Sequence, residues 1–244
     1  MLLEARRSGV FWLVLACIAA AIGLAGFLSQ VAVTETLQLQ TAIVGAFLRA
    51  CAAFLVAAFV ITSTVRDAND KGLELVLSLP LSRTAYYLGK LAGFACCGAI
   101  VAACFALPLL IWGSAAVVLA WFASLALELA LVAAASFFFA TALSHSVVAV
   151  AATAGFYLLG RAITAIQAIT SGPLAPETLA QRLAKWGLDL VALLLPRLDA
   201  VTRTEWLLYG PPASGEYVAA LCGLALYTAL LCAAGLFDFH RRNL

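Results

Sequence analysis

Charge is what this chain has least of. Lys and Arg number 14 and Asp and Glu 12, together 11% of 244 residues, and the mean hydropathy is +1.08. A soluble domain carries about 25% charged residues, so a soluble fold is excluded and an integral membrane protein is expected. Histidine occurs twice, at His145 and His240. His145, in "LSHS", reads as a solvated turn residue, and His240 as part of a basic tail. Cys17, Cys51, Cys96, Cys97, Cys104, Cys222 and Cys232 all fall in apolar runs without metal-ligand spacing. There cysteine behaves as a small hydrophobe, so buried thiols are expected rather than disulfides or a metal site.

Catalytic signatures are missing too. No G-x-x-x-x-G-K-[ST] loop occurs, and "YYLGKLAG" has neither the following Ser/Thr nor the upstream glycine. The chain therefore has no ATPase site of its own. Neither H-E-x-x-H, G-x-S-x-G nor paired intramembrane aspartates are present, which leaves an intramembrane hydrolase without machinery.

What the sequence does contain is apolar length. A membrane-crossing helix needs roughly 20 mostly apolar residues, and six stretches qualify, at about 10–28, 42–64, 91–112, 115–141, 146–168 and 217–237. The first reads as a retained span, since its run exceeds a signal-peptide core and no A-x-A site follows. Six spans put Arg6, Arg7, Arg66, Lys71, Arg83, Lys90, Arg241 and Arg242 on one face, while the short loops 29–41 and 112–115 hold no Lys or Arg. The positive-inside rule then makes both termini and the 66–90 segment cytoplasmic and 169–216 external.

The cytoplasmic segment is the longest polar-rich break in the first two-thirds of the chain: Arg66, Asp67, Asp70, Lys71, Glu74, Arg83 and Lys90 lie within 66–90. Leu73, Val76 and Leu77 share one helical face and Asp70, Glu74 and Ser78 another, which predicts a helix over 67–79 ended by Pro80. Ser82 is a plausible N-cap for a second helix through Tyr86 and Tyr87 into the third span. Gly89 and Gly93 form a small-xxx-small patch suited to close helix packing. So many leucine-class residues need the membrane interface or a protein partner, although a solvated loop with positive-inside anchors would also account for the charges.

"GLELVLSLPLSRTAYYLGK" resembles the segment that permeases of the ABC type-2 exporter family carry between their second and third spans. The similarity rests on Gly72, Leu73, Glu74, Pro80, Ser82, Arg83, Gly89 and Lys90, with Leu73 standing where the family usually has threonine. "EARRSGVFWLVL" is similar to that family's basic entry into the first span. The resemblance implies a coupling helix seated in a groove of a separate ATPase subunit. Leu77 and its neighbours would fill that groove, and Asp70, Lys71, Glu74 and Arg83 would set its register. It also implies no cofactor on this chain, ATP and magnesium on two copies of the partner ATPase, and a second permease copy. Identical halves are the simpler expectation, in a bacterial inner membrane and without a nucleic-acid partner.

Three ionisable residues fall inside spans: Arg49, Glu128 and Arg161. Each costs roughly 2.5–3.5 kcal/mol at a helix centre. At 1.5 Å per residue, Arg49 and Arg161 lie about 10 Å below the outer ends of their spans and Glu128 about 20 Å below its own. An arginine reaching down to Glu128 is expected. Two readings follow: a polar patch on a translocation path, suited to an anionic headgroup, or one structural ion pair with the other arginine snorkelling outward.

Residues 177–195 carry Leu179, Leu183, Trp186, Leu190 and Leu193 as one stripe, with Arg182, Lys185 and Asp189 on another face. An amphipathic helix in the outer interface, or a short re-entrant element, is expected, with Trp186 and Trp206 at headgroup level. "GPPASGEY" reads as a turn, with Ser214 a possible cap. The whole is expected to be an all-α, six-span permease domain. An ion- or proton-coupled transporter using Glu128, or a non-transporting membrane scaffold, are the alternatives.

Overall fold

A computed structural model describes residues 9–31, 36–69, 82–143, 145–170, 179–203, 205–210 and 214–241. Within them the chain is helical: α1 (Val10–Val31), α2 (Thr36–Asn69), α3 (Arg83–Leu109), α4 (Ala115–Ala142), α5 (Ser146–Thr170), α6 (Leu179–Leu194), α7 (Glu205–Tyr209) and α8 (Ser214–Arg241). Six of these helices, α1 to α5 and α8, are long and apolar enough to cross a membrane. The protein is a multi-pass membrane protein.

The helices outrun the spans expected from hydropathy, most of all in α2. Its 34 residues extend about 50 Å, well beyond a hydrocarbon core of about 30 Å. Thr36, Gln38, Gln40 and Thr41 interrupt the apolar run, yet they do not interrupt the helix. Gln40 is buried and its Nε2 donates to the Ala25 carbonyl of α1 at 2.8 Å. Thr41 Oγ1 donates to the Leu37 carbonyl at 2.7 Å. Satisfied locally, these polar groups prolong α2 along the end of α1.

At its other end α2 runs unbroken to Asn69, so Asp67 and its neighbours continue the second span. The remainder of the helix expected over 67–79 lies outside the described residues. Ser82 does cap α3, its Oγ accepting from the Ala85 amide at 3.2 Å. That helix ends at Leu109, earlier than the 112 expected, one residue past Pro108. Its end is closed by turn bonds such as Gly113 N–H to Leu109 C=O, 2.9 Å.

Helix α4 is the hub and touches α2, α3, α5, α7 and α8. The α3–α4 crossing is close because Gly98 has no side chain: a Cβ there would stand 3.2 Å from Leu129 Cβ. Gly89 has open space around it, so close packing falls at Gly98 and not at Gly89 of the expected patch. Trp121, Tyr87, Phe94, Phe105 and Phe137 are fully buried around this hub. By contrast, α1 and α8 lie at the periphery and expose Phe11, Trp12, Phe27, Leu226, Leu230 and Phe237.

Two side-chain expectations need correcting. Only Cys97 is buried; Cys96 and Cys222 are exposed, the other four cysteines are intermediate, and none of the seven is in a disulfide. The apolar surroundings of an outward-facing cysteine are therefore lipid or another chain, a distinction hydropathy cannot make. Trp206 is also buried, edge-on to Tyr217 at 5.2 Å between ring centroids. Trp186 is the exposed one, and with Leu183, Leu190 and Leu193 it turns the apolar stripe of α6 outward. On the polar side, Asp189 Oδ1 accepts from Gln167 Nε2 of α5 at 2.9 Å. Helix α8 begins at Ser214 itself.

Candidate functional site

The intramembrane charges form one hydrogen-bonded chain across α2, α4 and α5. Arg49 Nη1 meets Glu128 Oε2 at 2.7 Å, with the two side chains 3% and 0% exposed. Arg49 Nη2 donates to Ser124 Oγ at 2.9 Å, and that hydroxyl donates to the Trp121 carbonyl at 2.8 Å. The Arg49 guanidinium lies 5.3 Å from the centre of the Trp121 ring, a cation–π contact. The second carboxylate oxygen, Glu128 Oε1, accepts from the Tyr157 hydroxyl at 2.8 Å. Tyr157 Oη in turn accepts from Arg161 Nη1 at 3.0 Å.

Helical spacing assembles this chain. Trp121, Ser124 and Glu128 occupy one face of α4 at i, i+3 and i+7, and Tyr157 and Arg161 sit one turn apart on α5. Arg49, Glu128 and Tyr157 each stand thirteen residues from the end of their helix nearest α6, about 20 Å in each case. Arg49 is thus deeper than the roughly 10 Å expected from a span starting at 42, because α2 begins at Thr36. It faces Glu128 on the level instead of reaching down to it. Arg161 is the member displaced toward the α6 face, and its described bond is to Tyr157, not to Glu128.

A second polar cluster lies on the opposite face, between α2 and α3. Lys90 Nζ meets Asp67 Oδ2 at 2.5 Å, with side-chain exposures of 3% and 33%. The ammonium lies 5.8 Å from the Tyr86 ring centre, 5.8 Å from Phe94 and 5.6 Å from Phe137. Lys90, expected where the chain enters the third span, is buried in an aromatic cage. Of the residues the family resemblance implicates, Arg83 occupies the first position of α3. Asp70, Lys71, Gly72, Leu73, Glu74, Leu77 and Pro80 lie outside the described residues.

Tyr157, Ser124 and Trp121 were not singled out in the sequence. Each lies within two turns of a charged residue, so asking what shares a helical face with Glu128 or Arg161 would have found them. Among the described residues no cluster of three His, Cys, Asp or Glu side chains could hold a metal ion. A cleft of about 250 Å³ between α1, α2 and α3 is lined by apolar groups such as Val14, Val56, Phe59 and Val101. It offers a ligand volume but no polar group to orient it. No family model and no curated protein matches this chain.

Proposed function

We propose that the chain is the membrane-spanning subunit of an ATP-binding-cassette exporter. In this reading it forms a translocation path with a second copy of itself in a bacterial inner membrane. Two copies of a separate ATPase subunit supply ATP and magnesium. Both termini and the 66–90 segment face the cytoplasm, and α6 and α7 lie on the outer side. The observation that carries the proposal is the run 72–90, "GLELVLSLPLSRTAYYLGK", which follows one spanning helix and continues into the first two turns of the next. The geometry around that run supports it: the Asp67–Lys90 pair ties α2 to α3 at the base of the connection. A push on the connection would then reach both helices together.

The ion-coupled alternative asks Glu128 to exchange a proton during transport. Both of its oxygens are engaged, one by Arg49 and one by Tyr157, which suits a structural anion better than a carrier.

Tagged chain purified from its native host, with co-purifying proteins identified by mass spectrometry, provides the test. An ATP-binding-cassette ATPase is expected in stoichiometric amount. It should be lost in Glu74→Arg with Leu77→Asp, since an unpartnered aspartate in an apolar groove costs several kcal/mol. A double variant that keeps the ATPase and its stimulated ATP hydrolysis would overturn the reading.

A further inference from the structure

The polar chain has more positive charge than it answers. It contains two guanidinium groups, Arg49 and Arg161, and a single carboxylate, Glu128. Glu128 spends one oxygen on Arg49 and the other on Tyr157. Tyr157 donates its one hydroxyl proton to Glu128, so it meets Arg161 only as a neutral acceptor. Neither the Arg49–Glu128 nor the Lys90–Asp67 ion pair includes Arg161. Asp199 belongs to the turn whose Pro196 and Leu198 close over neighbouring Gly160, but it makes no ion pair with Arg161 either.

Arg161 is only partly buried, and the surface beside it has a definite polarity. Leu158, one turn toward mid-membrane on the same face, is 63% exposed. Thr164, one turn toward the α6 face, is also exposed. Apolar group, cation and hydroxyl thus follow one another at i, i+3 and i+6 along α5. A cation within a spanning helix is costly without a counter-charge, and an anion brought alongside it would relieve that cost. We infer that Arg161 is a binding point for the anionic oxygen group of an acidic amphiphile, whose apolar chain lies along Leu158. Phosphate-type oxygens suit the guanidinium fork. The inference requires α5 to cross a bilayer but does not rest on an ATPase partner.

The test uses the whole chain in neutral detergent and needs no ATPase. Thermal stability would be followed while titrating short-chain phosphatidic acid, the matching phosphatidylcholine, and inorganic phosphate. Phosphatidic acid is expected to raise Tm and phosphatidylcholine to do so much less. Arg161→Gln should weaken the acidic-lipid effect roughly tenfold, the value of one charge-assisted contact. An equal rise with inorganic phosphate would overturn the amphiphile, since the apolar chain would then contribute nothing; a rise with the lipid alone would assign the oxygen group to a headgroup. Equal shifts from the acidic and zwitterionic lipids in the unaltered protein would overturn the inference without any variant. So would an undiminished acidic-lipid response in Arg161→Gln.

Discussion

The Arg49–Glu128 and Lys90–Asp67 ion pairs are built differently, and the difference lies in their exits to water. Arg49–Glu128 is sealed on both sides, 3% and 0% exposed, and every polar contact described for it is to another protein group. Lys90–Asp67 is sealed only on the lysine side, with Asp67 33% exposed. In the first pair a hydrogen bond from Arg49 to Ser124 and one from Tyr157 to Glu128 complete what the charges leave open. In the second, aromatic rings do so, facing the ammonium with their π surfaces. Losing one partner therefore has different consequences. A charge left alone at the first site stays buried, whereas Asp67 at the second can take up water. This contrast suits a fixed brace deep in the bundle and a more compliant tie at its surface.

The largest effect expected is at the sealed pair. Glu128→Gln leaves the Arg49 guanidinium buried without a counter-ion, and breaking such a pair costs about 3–5 kcal/mol. A sharp loss of Tm in detergent, or of folded yield, would show it. Arg49→Gln added to Glu128→Gln should recover part of the loss, because no charge then remains unanswered at that level. Strictly additive losses across the double-mutant cycle would leave the two residues energetically independent.

A smaller loss is expected at the link between this pair and Arg161. Tyr157→Phe keeps the ring but removes the hydroxyl, leaving one Glu128 oxygen and one Arg161 N–H without that partner. An unsatisfied buried acceptor costs about 1–3 kcal/mol, so Tm should fall by less than in Glu128→Gln. If the two variants proved equal, the hydroxyl would be as necessary to the brace as the charge itself, and the brace would be a triad rather than a pair.

Local signals were the legible ones. Six apolar runs, the Ser82 cap and the amphipathic stripe of α6 each depend on neighbours within a few residues, and each could be read directly. That an arginine meets Glu128 follows from counting residues along helices, although α2 starts earlier than its apolar run suggests. Gln40 and Thr41 look like a loop in a hydropathy profile; their bonds to Ala25 and Leu37 satisfy them where they lie buried within the helix. Tyr157 carries no charge to draw attention, and its part depends on α4 and α5 lying side by side. Lys90 reads as a surface cation until Phe94 and Phe137 are seen to close over it. In each missed case the deciding contact comes from a different helix or from the rotation of a helix about its own axis. Composition along the chain records neither.

The smallest effect, and the finest test of the contrast, lies in the order of two substitutions at the second pair. Lys90→Met removes the cation, while a thioether is well suited to the three rings it would touch. The abandoned Asp67 is a third exposed and can hydrate. The net loss should be about 1 kcal/mol, in the range of partly exposed pairs. Asp67→Asn does the reverse, leaving an ammonium that is 3% exposed without a counter-charge, among π faces, a neutral amide and the Tyr86 hydroxyl 3.5 Å away. It should therefore lower Tm more than Lys90→Met does. No comparable asymmetry is expected between Arg49→Gln and Glu128→Gln, since each strands a buried charge. Equal shifts for the two Lys90–Asp67 variants would mean that Asp67 is not relieved by water, and that both pairs are sealed alike.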